Sequence, residues 1–397
     1  MSPLRSSLLS VAFALLSCSA KADDHPIVDD GLCNCFLTNT SESYFTNHML
    51  YDFRNLGQYA RVPDVVTNYN QSASAPVTSD YFNSDAWSSV WSIQNWNNSA
   101  RRGKSGDDAT IRMVNSPSNI YVEKNKDQNA ASDTFLSFRT ARLEDFQTSA
   151  EIESVSMGYH FVSVRMLART IGDAGACTAL FTYREAEKYE NVQEADIEIL
   201  TKDPDDKIQY TNQPSFDSSG NTIDKSTENG TMPSSVSWRQ WAVHRLDWDS
   251  KQSTWLVDGQ KTSSIEFQVP RDPSRVMINS WSDGGSWSGL MNVGGSAVLQ
   301  VQWIEMVFNT TDSPTTISSK RSAVEQRHAS GPHGQLLRRR GNDQCQVVCS
   351  IDSAPTIGSV VMLHNGSAPG LLLAQSSIAV FWLPVLLMST VFFHLLY

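Results

Sequence analysis

Gln193-Glu194-Ala195-Asp196-Ile197-Glu198-Ile199-Leu200 alternates acidic or polar residues with apolar ones along almost its whole length. Alternate residues of a β-strand share a face, so Glu194, Asp196 and Glu198 line one side, and Ala195, Ile197 and Ile199 the other. The apolar side needs a core beneath it, which makes the segment a half-buried strand. An ordinary solvated strand face carries mixed charge. Three carboxylates in line, with no Lys or Arg between them, repel one another unless something uses them. A plain solvated face and a calcium site are the competing readings of this row.

Outward from this strand the pattern repeats. Thr134–Arg139, His160–Ala168, Thr178–Tyr183, Trp241–Trp248, Ser253–Val257, Val276–Trp281 and Val298–Phe308 are rich in Val, Ile, Thr, Phe, Tyr and Trp, with turn residues between them. Asp258-Gly259 stands between two such runs and predicts a hairpin turn. Helical periodicity is missing over long stretches. The expected fold is an all-β sandwich, a single jelly-roll domain over residues 23–312. The chain of 397 residues has a formal net charge of -11, which repels phosphate backbones and argues against nucleic acid as a partner.

A row of carboxylates suits sugar chemistry. A retaining glycosidase pairs a nucleophilic carboxylate with an acid/base one, about 5–5.5 Å apart. Four strand steps put the Cα atoms of Glu194 and Glu198 roughly 13 Å apart, so both side chains must lean inward over a concave sheet. Asp196 between them can hold the proton distribution asymmetric, leaving one Glu ionised and the other protonated.

Glu194–Leu200 resembles the Glu-x-Asp-x-Glu signature of glycoside hydrolase family 16, within the concanavalin A-like lectin/glucanase superfamily. Ile208-Gln209-Tyr210-Thr211-Asn212 resembles the strand after the signature. Trp255-Leu256-Val257-Asp258-Gly259 resembles the family's Trp-x-Val-Asp-Gly hairpin, and Asn279-Ser280-Trp281 through Trp287-Ser288-Gly289 its Trp-containing cleft segment. The likeness covers roughly residues 159–308. It implies Glu194 as nucleophile, Asp196 as helper, Glu198 as acid/base, Trp281 and Trp287 at sugar subsites, and Gln209 and Asn212 as hydroxyl partners. The signature has the unbulged five-residue form, which in the family goes with mixed-linkage glucanases and with transglycosylases acting on xyloglucan or on chitin and glucan. Ala195 stands where larger aliphatics are common. Trp87, Trp91 and Trp96 match no substrate-defining motif. The implied activity is hydrolysis or transglycosylation of cell-wall β-glucan, with chitin as a further acceptor. A carbohydrate-binding wall protein on the same fold, without turnover, is the alternative. A structural wall glycoprotein that binds no sugar is a third option.

The two ends speak to compartment. Arg5, the apolar run Leu8–Leu16 and the small residues Ser17–Ala20 predict a signal peptide within residues 1–22. Asn365-Gly366-Ser367-Ala368, a spacer and the apolar tail Ile378–Tyr397 match a GPI-attachment signal of the fungal anchored type, with Asn365 as attachment residue and 366–397 as propeptide. Sequons at Asn39, Asn70, Asn97, Asn229 and Asn309 predict N-glycosylation. These features predict a protein secreted to the outer face of the membrane or to the wall, and a monomer is expected. Residues 313–365 are expected to be a Ser/Thr-containing linker, whose basic clusters Lys320-Arg321 and Arg338–Arg340 are either solvated charge or protease sites. Cys33 and Cys35 stand too close for an easy mutual bridge, so Cys345 and Cys349 are their expected partners, with Cys177 left as a buried thiol. The cysteine and histidine spacing predicts no metal, and no cofactor is expected.

Overall fold

The computed structural model describes residues 25–41, 43–100, 108–312 and 345–365. Twelve antiparallel strands follow one another in a nearly closed path. One layer of the sandwich holds, in order, Thr227–Thr231, Lys207–Gln213, Gln193–Leu200, Cys177–Arg184, Arg275–Trp281 and Gln147–Ser154. The other holds Thr134–Arg142, Ser296–Thr310, Tyr159–Gly172, Ala242–Trp248, Ser253–Val257 and Gln260–Ile265. The layers join where Ala141 and Arg142 pair with Thr148 and Gln147. The fold is an all-β jelly-roll sandwich.

The alternation in the sequence decides which side each strand buries. Ala195, Ile197, Ile199, Leu180, Ile152 and Ile278 of the first layer pack into one core with Val164, Met166, Leu246, Trp255, Leu299 and Ile304 of the second. Trp87 and Trp91, of unassigned role in the sequence, are buried in this same core. Every strand expected from the sequence forms, and several run longer. The expected His160–Ala168 extends to Tyr159–Gly172 because Arg169–Gly172 find partners in Ala297–Gln300. Asp258 (φ 49°) and Gly259 (φ 75°) make the expected hairpin turn, both in the left-handed region that such a turn requires.

The expected linker boundary needs correction. Residues 345–365 are not linker: Val347–Ser350 and Val360–Asn365 join Ile27–Val28 and Cys35–Leu37 in a separate four-stranded sheet. Their apolar residues Val348, Cys349, Ile351 and Val360 supply the burial that makes this possible, three of them clustering with Phe36, Phe45 and Val307. Cys345 and Cys349 are the partners of Cys33 and Cys35, as expected, with Cys33 bonded to Cys349 and Cys35 to Cys345, while Cys177 is free and buried. Charge completes the attachment. Asp30 and Glu305 flank His48, Arg165 bridges Glu305 and Asp352, and Arg245 bridges Asp352 and Asp247. The signal-peptide residues, both basic clusters and the apolar tail lie outside the described residues.

Candidate active site

The strand Gln193–Leu200 lies in the interior of its layer, paired on one edge with Cys177–Arg184 and on the other with Lys207–Gln213. Register fixes what stands beside each carboxylate. Glu194 faces Tyr183 and Gln213, Asp196 faces Phe181 and Thr211, and Glu198 faces Ala179 and Gln209. Ala195, Ile197 and Ile199 are buried on the opposite face, so the three carboxylates share the outer face of the layer, as the alternation dictates. Cys177, Ala179, Phe181, Leu200 and Met277 make an apolar floor beside the row.

That floor governs the electrostatics. Asp196 is almost wholly buried, and its Oδ1 has no hydrogen-bond partner. Burial, then the neighbouring charges of Glu194 and Glu198, push its carboxyl well above the usual carboxylate range. A protonated Asp196 can donate to Glu194, and the hydrogen bond between the two raises Asp196 further. Burial also raises Glu198, against the pull of hydrogen bonds from Trp287 and Cys177. Trp287 Nε1 donates to Glu198 Oε1 at 3.0 Å and Cys177 Sγ donates to the same oxygen at 3.2 Å.

Trp287 reaches Glu198 because its loop is pinned. Ser286 N donates to Asp108 Oδ2 at 2.7 Å, Thr110 Oγ1 donates to the Gly284 carbonyl, and Lys202 donates to the Ser286 carbonyl. Gly284 is required here: its φ is +73°, and a Cβ would meet Thr110 Oγ1 at 2.3 Å. Trp287 itself stays 38% exposed. Trp281 is half-buried against the floor, opposite Cys177 in register.

The two polar residues from the following strand divide. Gln209 lies beside Glu198 on the carboxylate face, where its Nε2 donates to Asp203. Asn212 pairs with Ala195 and shares that residue's inward face. It is fully buried and donates to the carbonyls of Ile265 and Phe267. It therefore cannot meet a ligand on the carboxylate face, in contrast to the expectation. Of the sequons, Asn39, Asn70 and Asn229 are exposed and Asn97 and Asn309 half-buried; Asn365, the expected attachment residue, is exposed at the end of its strand.

The sequence reasoning missed a second polar cluster on the same face. Glu151, on Gln147–Ser154, pairs with Asn279, which pairs with Ala179, which pairs with Glu198. Glu151 thus sits level with Glu198, three strands away. Its Oε1 accepts from Trp96 Nε1 at 2.7 Å and its Oε2 from Asn279 Nδ2 at 3.2 Å. Burial pushes it up to about 7 despite both donors. Trp96, 44% exposed, borders the face at this end. The signal was present in Ala150-Glu151-Ile152-Glu153, a shorter copy of the same alternation. Near Glu194, Tyr189 donates its hydroxyl to Gln213 Oε1 at 2.7 Å and adds an exposed ring.

The family model described as Glycosyl hydrolases family 16 matches residues 107–304. A beta-glucanase of Bacillus amyloliquefaciens is 28% identical over 137 residues, covering 34% of this chain and 53% of that protein. A beta-glucanase of Bacillus subtilis (strain 168) is 28% identical over 149 residues, covering 37% of this chain and 57% of that protein. The chain thus spans a little over half the length of these curated relatives. Among solved structures, the catalytic domain of a laminarinase from Thermotoga maritima aligns with TM-score 0.44 at 16% identity, covering 56% of this chain and 93% of that one. The Bacillus licheniformis beta-glucanase aligns with TM-score 0.42 at 19% identity, covering 55% and 92%. The segment from residue 107 to residue 304, which contains the whole carboxylate row, is a glycosyl hydrolase family 16 domain.

Proposed function

We propose that the protein is a retaining glycosidase or transglycosylase of β-glucan, with Glu194 as nucleophile and Glu198 as acid/base. The observation that carries this is the asymmetry of the row. Asp196, pushed towards its protonated form by burial, is hydrogen-bonded to Glu194, whereas Glu198 accepts hydrogen bonds from Trp287 and Cys177. Environments that differ in this way give paired carboxyls different roles.

In the first step Glu198 gives its proton to the glycosidic oxygen as the C1–O bond breaks, and its electron pair stays on the departing sugar. Glu194 forms a new bond to C1, giving a glycosyl-enzyme. The Asp196 proton, bonded to Glu194, stabilises the carboxylate that leaves in the second step. Glu198, now ionised, takes the proton from the acceptor hydroxyl as it attacks C1. Water as acceptor gives hydrolysis; the hydroxyl of another chain, of β-glucan or of chitin, gives transfer. Trp281, Trp287 and Trp96 offer apolar faces for sugar rings, and Gln209 a polar partner beside the acid/base. Removal of a signal peptide, N-glycosylation and GPI anchoring at Asn365 would set a monomer of this enzyme at the outer face of the membrane, among wall polymers.

The test incubates the secreted form, truncated before Asn365, with β-1,3-glucan, mixed-linkage glucan and chitin oligosaccharides plus a fluorescent acceptor. Shorter products mean hydrolysis and labelled hybrid chains mean transfer, and Glu194→Gln should abolish either by at least about a hundredfold. No product from any donor refutes the proposal. Anchoring is tested separately: phospholipase that releases none of the membrane-bound protein excludes a GPI link.

A further inference from the structure

The Cys177 thiol has an environment that a structural cysteine does not need. It is fully buried, unpaired with any other cysteine, and on the carboxylate face rather than in the sandwich core. Its Sγ donates to Glu198 Oε1 at 3.2 Å, and Trp281 stands opposite it in register on the adjoining strand. Trp287 Nε1 donates to that same Oε1. Two donors from different elements therefore converge on one oxygen of one carboxyl.

This convergence has a chemical consequence. A protonated carboxyl has one oxygen that accepts and one that carries hydrogen. An oxygen already facing an S–H and an N–H is the better acceptor and the worse place for a third proton. Inheriting Glu198 as acid/base from the proposed function, we infer that Cys177 is a positioning residue, which together with Trp287 keeps Glu198 Oε1 as the acceptor oxygen and its proton on Oε2. Oε2 then faces the glycosidic oxygen with the proton already in place. No reorientation of the carboxyl is needed before transfer, and the same pair of donors stabilises the carboxylate once the proton has left. A thiol suits this place because it is apolar enough for the floor made by Ala179, Phe181, Leu200 and Met277, yet retains one weak donor.

The inference predicts a dependence on the leaving group. A polysaccharide leaving group needs its proton, whereas a dinitrophenolate leaves without one. The experiment compares the full chain with Cys177→Ala, Cys177→Val and Cys177→Ser on a β-glucan polymer and on the dinitrophenyl glycoside of a β-glucan oligosaccharide. Loss of a hydrogen bond to a carboxyl that becomes charged should lower kcat on the polymer about tenfold in the Ala and Val variants, with KM unchanged. The loss on the dinitrophenyl glycoside should be several-fold smaller. Cys177→Ser, which keeps a donor but loses volume, should recover most of the polymer activity; Cys177→Val, which keeps volume but loses the donor, should not. Equal losses on the two substrates, or recovery by Val and not by Ser, would mean that Cys177 only fills space, and would overturn the inference. Turnover by the wild type that survives Glu198→Gln on the polymer would instead refute the acid/base assignment, and this inference with it.

Discussion

Glu151→Gln should stabilise the protein at pH 8 and leave it almost unchanged at pH 4. The glutamate is 4% exposed, and burial raises it from an ordinary value of 4.5 to about 7. In the unfolded chain it ionises near its ordinary value; in the folded protein it holds its proton up to about 7. A raised carboxyl of this kind contributes its full stability below the unfolded value, and loses it as pH rises through the folded one. The displacement corresponds to about 3 kcal/mol lost between the two limits. Glutamine copies the protonated shape without ionising. It can also be accommodated: Asn279 Oδ1 has no partner, and a half-turn of that amide would present an acceptor to the new N–H. Urea unfolding of both proteins at pH 4 and pH 8 measures the effect. The difference between variant and wild type should grow by about 3 kcal/mol from the lower to the higher pH. Groups common to both proteins cancel. A difference that stays the same at the two pH values would refute the claim that Glu151 is held neutral in the fold.

His48 should give a second window. Burial pulls its imidazole down, but Asp30 and Glu305 outweigh that and raise it to about 9. The stability it contributes is complete below 6.5 and fades as pH climbs towards 9, so His48→Gln should cost about 3 kcal/mol at pH 6 and little at pH 9.5, read from unfolding curves. Asn212→Ala should lower stability by about 1–3 kcal/mol, because the carbonyls of Ile265 and Phe267 lose their donor, while KM for glucan stays within about twofold. Cys33→Ser with Cys35→Ser removes crosslinks spanning 316 and 310 residues, and should lower the unfolding free energy by about 4 kcal/mol.

Much of this architecture could be read from alternation alone. A strand with one buried face declares itself by period, which is why Gln193–Leu200 and its neighbours stood out and why the carboxylates were found on one side. Asn212 shows how the same rule was under-used. Gln209 and Asn212 are three residues apart, so on a regular strand they cannot share a face, and only one could have stood on the carboxylate face. Glu151 was missed for a different reason. Its partner Asn279 is 128 residues away and Trp96 is 55 away, and no local pattern shows that such residues meet. The sheet at residues 345–365 was hidden likewise: Val347–Ser350 is too short to signal a strand by period, and its pairing with Cys35–Leu37 spans most of the chain.

The two disulfides close the polypeptide into a loop, with residues 313–344 inside it. A single cut anywhere in that interval would turn one chain into two without setting either free. The sandwich would remain tethered through Cys33 and Cys35 to the strands of residues 345–365, and parting the two pieces would take a reductant as well as proteolysis.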